Sequence, residues 1–195
     1  MAGAGSGKTK VLTNRIVNLI ENGIMDYHIL AITFTNKAAK EMKERVENLY
    51  GDVRSFIGTF HSFGLKIIRE NYRECGLERN FTIIDSNDSL SIIKKILKNN
   101  NIDPKKFSPY AVRNKISLIK NEMLSEAEMD RVFNTYFDTT CVEIYKKYQS
   151  ILKESNILDF DDLLVKPVEL FRNYEAILED YQNHYPYILV DEYQD

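Results

Sequence analysis

The glycines of this chain are confined to its first part, because all eight lie at or before Gly76. Glycine is the residue that tight turns and positive φ angles most often require, so sharp turns concentrate there and become scarce further on. The chain after Gly76 is therefore predicted to be largely helical. With 195 residues, 44% of them hydrophobic, the chain is long enough to bury one good core and a smaller second one.

The early chain alternates amphipathic helical patterns with short continuous apolar runs. In order, the pattern is a helix at 8–22, a strand at 29–34, a helix at 36–50, a strand at 53–57 and a helix at 61–72, with a last strand at 187–190. Strands that are apolar throughout and separated by helices are typical of a parallel sheet covered on both faces. We therefore predict an α/β fold in which a parallel sheet is flanked by helices.

The middle of the chain shows helix signals without strands between them, from Ser86 to about Glu154. Ser108 followed by Pro109 is a helix N-cap with proline at the first helical position, and Ser125 with Glu128 makes a capping box. We predict an inserted all-helical subdomain that interrupts the α/β domain. The predicted division is 1–80 for the first part of the α/β domain, 81–155 for the insertion and 156–195 for the second part.

Cysteine usage and hydropathy exclude several classes of protein. Cys75 and Cys141 have neither CxxC nor metal-ligand spacing, so they are predicted to be reduced thiols in a cytoplasmic protein. The longest apolar runs are far shorter than the roughly 20 residues that a membrane-spanning helix needs. No signal peptide pattern is found, and no membrane partner is expected.

The net charge of -3 conceals one strongly basic stretch. Residues 91–121 contain eight basic residues against one acidic residue, and the basic residues are Lys94, Lys95, Lys98, Lys105, Lys106, Arg113, Lys115 and Lys120. Such a stretch is either a solvated helical face or a surface that contacts nucleic-acid phosphates. The composition does not decide between the two.

Residues 2–9 fit a phosphate-binding loop, with alanine in place of the first glycine of the usual pattern. Small residues allow successive backbone N–H groups to turn towards phosphate oxygens at the start of the following helix. The loop consists of Ala2, Gly3, Ala4, Gly5, Ser6, Gly7, Lys8 and Thr9. In this pattern Lys8 reaches the β- and γ-phosphates and Thr9 gives its hydroxyl to Mg²⁺, so ATP and Mg²⁺ are the predicted cofactors. The alternative is a glycine-rich turn without a ligand.

Two acidic residues follow the last predicted strand. An apolar strand that ends in Asp191 and Glu192 places carboxylates at the edge of the sheet where open α/β sheets bind ligands. We predict that Asp191 holds Mg²⁺ and that Glu192 orients and deprotonates the attacking water. The alternative is a pair of solvated acids near the end of the sequence.

Five segments, in order, resemble motifs of the superfamily 1 DNA helicases of the UvrD, Rep and PcrA type. They are AGAGSGKT at 2–9, ITFTNKAAKEM at 32–42, GTFHSFG at 58–64, LDFDDLL at 158–164 and VDEYQD at 190–195. The resemblance spans the whole chain. It implies a P-loop NTPase (RecA-like) motor domain interrupted by a helical subdomain. It also implies an ATP-dependent 3′-to-5′ helicase activity, with single-stranded and duplex DNA as partners.

The resemblance also assigns roles to particular residues. Phe34 would stack on a base, and Thr35, Asn36, Thr59 and His61 would lie near the DNA backbone. Without the resemblance, Phe34 is interpreted as a core residue that ends a strand and His61 as a structural histidine.

Gln194 by resemblance contacts the γ-phosphate region, which makes Lys8, Glu192 and Gln194 the expected catalytic set. Three further acids lie in LDFDDLL, namely Asp159, Asp161 and Asp162. They have the chemistry of metal ligands, but we predict that they cap a helix and assign no metal to them.

In this family a strand and an adenine-reading glutamine precede the phosphate loop, and a second motor domain of the same protein follows DEYQD. We therefore expect residues 1–195 alone to bind nucleotide weakly and to hydrolyse it negligibly. Alternatives are a subunit of a helicase–nuclease or a non-catalytic DNA- or protein-binding remnant. A phosphate-loop ATPase unrelated to DNA would leave TFTNKAA and TFHSF unexplained. The pathway and the oligomeric state stay open.

Overall fold

The computed structural model describes residues 7–193, apart from the side chains of Lys8 and Glu126. In chain order, the helices and strands are α1 (Lys8–Glu21), β1 (Ile29–Thr33), α2 (Asn36–Tyr50), β2 (Phe56–Thr59), α3 (Phe60–Glu70), β3 (Thr82–Ile83), α4 (Ser86–Asn99), α5 (Pro109–Glu122), α6 (Glu126–Val132), α7 (Tyr136–Glu154), β4 (Ile157–Leu158), α8 (Asp162–Asn173), α9 (Glu175–His184) and β5 (Tyr187–Val190). A short 3₁₀-helix, Asp26–His28, precedes β1.

Two compact units make up the chain. One unit contains the residues up to Phe63 together with those from Phe171 onward, and the other unit is Gly64–Leu170. The second unit is wider than the predicted insertion at 81–155. These units are defined by contacts, so the domain boundaries predicted at residues 80 and 155 stay a prediction.

The first unit contains a parallel sheet in which β1 lies between β2 and β5. Ile32 of β1 is in register with Gly58 on one side and with Val190 on the other. The predicted parallel sheet, with 187–190 as one of its strands, is confirmed. Since the three strands run in the same direction, their carboxyl ends meet at one edge, and the residues that follow each strand lie there.

Helices cover both faces of this sheet. As a result, β1 is buried along all five residues. Ile29 and Ala31 share a core with Met42 of α2 and with residues of α1. Leu30 and Ile32 belong to a separate core on the opposite face, with Tyr185 at the end of α9. The alternation of side chains along a strand explains why successive residues enter different cores. The predicted covering of both faces is confirmed.

The second strand begins later than predicted, at Phe56 instead of residue 53. The backbone N–H of Arg54 donates to Asp26 Oδ2 over 2.6 Å, and the Ser55 hydroxyl donates to the carbonyl of Asp26 over 2.7 Å. The Arg54 N–H and guanidinium hold the pKa of the Asp26 carboxyl below its ordinary value. These bonds attach 54–55 to the 3₁₀-helix, so pairing with β1 starts only at Phe56.

In the second unit, α4, α5 and α7 enclose an apolar core. Its members include Ile93, Leu97, Ile116, Ile119, Ile144 and Tyr148. Helix α5 begins at Pro109 as predicted, and the Ser125 N–H donates to the Glu128 carboxylate over 2.9 Å, which confirms the predicted capping box before α6. Within the described residues, no helix is long and apolar enough to cross a membrane.

The predicted all-helical range 81–155 contains one short strand. Strand β3 pairs in parallel with β4, and the Ile84 N–H continues the ladder by donating to the Leu158 carbonyl over 2.8 Å. Strands of two residues are too short to produce an alternating pattern in the sequence.

Gly64 marks a close contact between α3 and α8. A Cβ atom added at Gly64 would lie 1.9 Å from the carbonyl oxygen of Leu163, far inside the normal contact distance. Position 64 therefore requires glycine for space and not for its backbone freedom.

Candidate functional site

Thr9 and Asp191 come from distant parts of the sequence and meet in the first unit. The Thr9 hydroxyl donates to Asp191 Oδ2 over 3.3 Å. The hydroxyl of Thr13, one turn further along α1, donates to the Thr9 carbonyl over 2.8 Å, and Thr13 is buried. Asp191 is only 7% exposed. A hydroxyl and a carboxylate are thus held together at the carboxyl edge of the sheet. This is the arrangement expected if the start of α1 and the end of β5 bind the same nucleotide.

The sheet itself positions Asp191. Its backbone N–H donates to the Ile32 carbonyl over 2.9 Å, so the pairing of β5 with β1 continues through this residue. Glu192 then adopts a φ of 52°, in the left-handed region that residues other than glycine seldom occupy. Such backbone conformations concentrate at functional sites. The chain turns sharply here, and Glu192 is half-buried.

Helix α1 begins where the predicted phosphate loop ends. Gly7 precedes it with a φ of 79°, a left-handed conformation that suits glycine, and the first turn of the helix carries no acidic residue. The unpaired N–H groups at the start of a helix favour anions. The predicted residues Ala2, Gly3, Ala4, Gly5, Ser6 and Gln194 lie outside the described residues, and the side chain of Lys8 is not described.

The oxygen atoms at this edge fit Mg²⁺. A hydroxyl and a carboxylate are hard oxygen ligands, and Mg²⁺ in nucleotide sites is usually held by one or two such groups together with phosphates and water. Within 7–193, no group of three or more His, Cys, Asp or Glu residues could hold a metal ion by itself. Thr9 and Asp191 thus have the ligand chemistry that such nucleotide sites use.

Two aromatic rings lie at the same edge of the sheet. Phe34 follows β1 and Phe60 follows β2, and the preceding residues Thr33 and Thr59 are in register. Phe34 is 50% exposed and Phe60 is 36% exposed. Their ring centroids are 5.7 Å apart at an interplanar angle of 66°. The interpretation of Phe34 as a core residue is wrong, because half of its surface is open.

Phe60 is not among the residues predicted from the sequence to contact DNA. A signal for it was present, because the dipeptide Thr-Phe ends both strands, in ITFT at 32–35 and in GTFH at 58–61. Equivalent positions at the ends of neighbouring parallel strands lie side by side. The repeated dipeptide therefore predicts a pair of rings.

The other predicted DNA-contacting residues differ in how much they expose. Thr35 is exposed and caps α2, since its hydroxyl accepts from the Ala38 N–H over 3.1 Å. Asn36 is exposed and begins that helix, whereas His61 is half-buried. Thr59 is buried, and its hydroxyl accepts from the Ser62 N–H over 3.1 Å. Thr59 thus fixes the first turn of α3.

The comparison with known families covers the whole chain. Residues 1–195 match the family described as the UvrD/REP helicase N-terminal domain. The chain belongs to this family. The RecA-like architecture implied by the resemblance agrees with the parallel sheet and its flanking helices.

Among similar relatives of this UvrD/REP family chain are proteins named ATP-dependent DNA helicase PcrA. The chain is 50% identical over 198 residues to that of Staphylococcus aureus strain Mu50 and 48% identical over 198 residues to that of Bacillus subtilis strain 168. Each match covers 100% of the chain and 27% of the relative. The chain therefore spans about a quarter of the length of these relatives.

In this UvrD/REP family chain the LDFDDLL segment surrounds a buried lysine. Lys120 Nζ lies 2.7 Å from Asp159 Oδ2 and 2.9 Å from Asp162 Oδ1, and the Tyr148 hydroxyl donates to Asp159 over 3.0 Å. The Asp162 N–H donates to Asp159 Oδ1 over 3.1 Å, and the Asp159 N–H donates to Asp162 Oδ2 over 3.0 Å. The predicted capping is confirmed for this pair. Asp161 instead accepts from the Ser117 hydroxyl over 3.0 Å.

Burial and the lysine act on these carboxyls in opposite directions. Burial raises the pKa of Asp159, but the Lys120 ammonium, together with hydrogen bonds from the Asp162 N–H and the Tyr148 hydroxyl, more than offsets this, so the pKa stands below its ordinary value. Burial dominates at Asp162, whose pKa is raised in spite of the same ammonium. Both aspartates are within ion-pair distance of the same cation, at 2.7 and 2.9 Å.

For Lys120, both interpretations of the basic stretch are wrong. It is only 2% exposed, so it is neither part of a solvated face nor available to phosphates. Lys115 likewise lies 2.7 Å from Asp138. The exposed members of the stretch are Lys94, Lys95, Lys98, Lys105 and Lys106. A charge pattern along the sequence does not reveal that aspartates 39 and 42 positions away fold around Lys120.

Proposed function

We propose that this chain is the first motor domain of an ATP-dependent DNA helicase that moves 3′-to-5′ along single-stranded DNA. The observation that carries the proposal is the Thr9 hydroxyl 3.3 Å from Asp191, one strand away from the exposed ring of Phe34. The names of the PcrA relatives support ATP and DNA as its ligands. The polarity is taken from the family resemblance, and a cytoplasmic location from the predicted reduced state of Cys75 and Cys141.

The nucleotide half of the site uses the start of α1 and the end of β5. Residues 2–9 would surround the phosphates, and Lys8 would approach the β- and γ-phosphates. Thr9 and Asp191 would hold Mg²⁺, which when bound neutralises charge on the phosphate oxygens. Glu192 would orient the attacking water and accept its proton, and Gln194 would contact the γ-phosphate region.

The DNA half uses the adjacent end of β1. Stacking of a base on an aromatic ring contributes about 1–3 kcal/mol and tolerates any base, which suits a motor that moves along arbitrary sequences. Phe34 would supply this ring. Thr35, Asn36 and His61 would lie near the sugar–phosphate backbone, while buried Thr59 would act by fixing the α3 turn.

The test is the variant Asp191→Asn in the full-length protein. Loss of a residue in the outer shell of a metal site costs about 10–100-fold in affinity or activity, so loss of a direct ligand should lower kcat for ATP by more than about 100-fold. Affinity for single-stranded DNA should be retained. Asp180→Asn is the matched control, because Asp180 is an exposed acid of the same unit. An Asp191→Asn protein with unchanged kcat would remove the basis of the proposal.

A second measurement concerns residues 1–195 expressed alone. In the family, arginines of a second motor domain stabilise the transferring phosphate, and such arginines are worth about 10³–10⁵ in rate. We expect turnover below about 1 per second with single-stranded DNA present. Faster turnover would contradict the assignment of catalytic groups to a second domain.

A further inference from the structure

Phe60 is exposed although its aromatic neighbours in sequence are packed inside. Phe56 and Phe63 contact each other, with ring centroids 5.1 Å apart, and pack against the core that contains Tyr185. Phe60 lies between them in the sequence, yet its ring meets Phe34 at the carboxyl edge. The two neighbouring exposed rings form an apolar patch at this edge, and such patches often mark ligand-binding sites.

The angle between the rings decides what they can bind. At 66° the edge of one ring meets the face of the other. A ring that contributes its edge keeps both faces open, and a ring that contributes one face keeps the other open. In either case Phe34 keeps at least one face that Phe60 does not cover, in agreement with its exposure of 50%.

We propose that Phe60 is a positioning residue for a nucleobase site on Phe34. It holds the Phe34 ring by an edge-to-face contact, so that an open face is already presented when an unpaired base arrives. This inference rests on the proposed DNA-binding function and adds to it a residue and a role. Phenyl rings offer no hydrogen-bonding groups, so the site recognises a flat base that is unpaired and is indifferent to which base it is.

The backbone under both rings is firmly held. Thr33 and Thr59 are in register in the sheet, and the Thr33 hydroxyl donates to the Thr35 carbonyl over 3.0 Å. On the Phe60 side, the Thr59 N–H donates to the Ser62 hydroxyl over 2.8 Å. Gly58 allows this close turn, because a Cβ atom there would lie 2.6 Å from the Ser62 hydroxyl oxygen. The separation of the two rings is therefore set by the scaffold.

The test measures binding of the full-length protein to an oligothymidylate that contains one 2-aminopurine, whose fluorescence is quenched by stacking. Phe34→Ala removes the stacking surface and should weaken binding about 5–150-fold. Phe60→Leu keeps an apolar side chain, and therefore the fold, but removes the edge-to-face contact. It should weaken binding about 2–12-fold and reduce the quenching, and Phe60→Tyr should restore both.

The double variant distinguishes positioning from direct contact. If Phe60 acts through Phe34, then Phe60→Leu should cause no further loss of affinity in the Phe34→Ala background. An equal loss in both backgrounds, or wild-type affinity and quenching for Phe60→Leu, would overturn the inference. Tyr50→Ala is the matched control, since Tyr50 is 47% exposed at the end of α2 in the same unit.

The results also separate this inference from the proposed function. If Phe34→Ala leaves DNA affinity unchanged, the DNA half of the proposed function fails and the inference fails with it. If Phe34→Ala weakens binding but Phe60→Leu does not, only the positioning role fails. Thermal unfolding followed by circular dichroism should give the same midpoint for Phe60→Leu and Phe60→Tyr, which excludes a loss of fold as the cause.

Discussion

Lys120→Met should destabilise the protein strongly at neutral pH. The substitution keeps an apolar stem of similar length, so little empty volume is created, but it removes the ammonium between Asp159 and Asp162. Those two carboxylates are 6% and 2% exposed and would be left charged without their cation. Removal of one partner from a buried ion pair costs about 3–5 kcal/mol. This is a large fraction of the roughly 5–15 kcal/mol by which a folded domain is stable.

The assay is urea-induced unfolding at pH 7, followed by circular dichroism and by tyrosine fluorescence, since the chain contains no tryptophan. Lys40→Met is the control, because Lys40 pairs with Glu44 on the surface with 79% of its side chain exposed, and such pairs contribute about 0.3–0.5 kcal/mol. A triple variant with Lys120→Met, Asp159→Asn and Asp162→Asn removes the whole charged group. It should recover much of the loss, because neutral replacements of buried ion pairs are often tolerated.

The loss in free energy of unfolding caused by Lys120→Met should also depend on pH. Without the ammonium, both carboxyls can become neutral by taking up protons, so the difference from wild type should shrink as the pH falls from 7 towards 4. In the wild type, the depressed pKa of Asp159 means that its contribution is present above the ordinary value of 3.8 and is lost as the pH falls below it. A loss below about 1 kcal/mol at pH 7, or a triple variant no more stable than Lys120→Met, would refute the reasoning.

Two further predictions concern Gly64 and the cysteines. Gly64→Ala places a Cβ atom 1.9 Å from the Leu163 carbonyl, so unfolding in urea should show a loss at or above the roughly 1–3 kcal/mol typical of overpacking, and an unchanged midpoint would contradict the close contact. Burial raises the pKa of both Cys75 and Cys141 to about 11 from the ordinary value of 9.0, which lowers the thiolate fraction at pH 8 by about a hundredfold. Since a more basic thiolate is more nucleophilic, alkylation by iodoacetamide should be about tenfold slower than in guanidinium-unfolded protein, and equal rates would contradict the burial.

The elements that the sequence predicts with their bounds are those fixed by neighbouring residues. Helix α2 runs over the predicted 36–50 because Thr35 caps its start and Gly51, with a φ of 105°, follows its end. The last strand, Tyr187–Val190, also has its predicted bounds. In contrast, the start of β2 depends on Asp26, 28 positions before Arg54, and no local pattern contains that information.

In the candidate site, too, features fixed by neighbouring residues were predicted, and features that depend on distant residues were not. The roles of Thr9 and Asp191 were predicted from motifs, and the fold brings the two side chains together. Phe60 was missed because the helical pattern was assigned from residue 61, which placed the ring in a turn. Lys120 was grouped with surface lysines because only the folded chain shows what surrounds it. Contacts between distant residues, rather than residue types, account for what the sequence did not reveal.

The central strand of the sheet limits how the proposed nucleotide half of the site could affect the proposed DNA half. Strand β1 is buried along its whole length and hydrogen-bonded on both sides, so it can neither slide nor stretch without breaking the ladder. In the proposed function, a change in nucleotide state would then act through the short segments that leave the sheet, after Thr33, Thr59 and Val190. Because the Thr33 hydroxyl donates to the Thr35 carbonyl and the Thr59 N–H donates to the Ser62 hydroxyl, two of these segments are themselves held, and a shift there would be passed to α2 and α3, the helices that follow them.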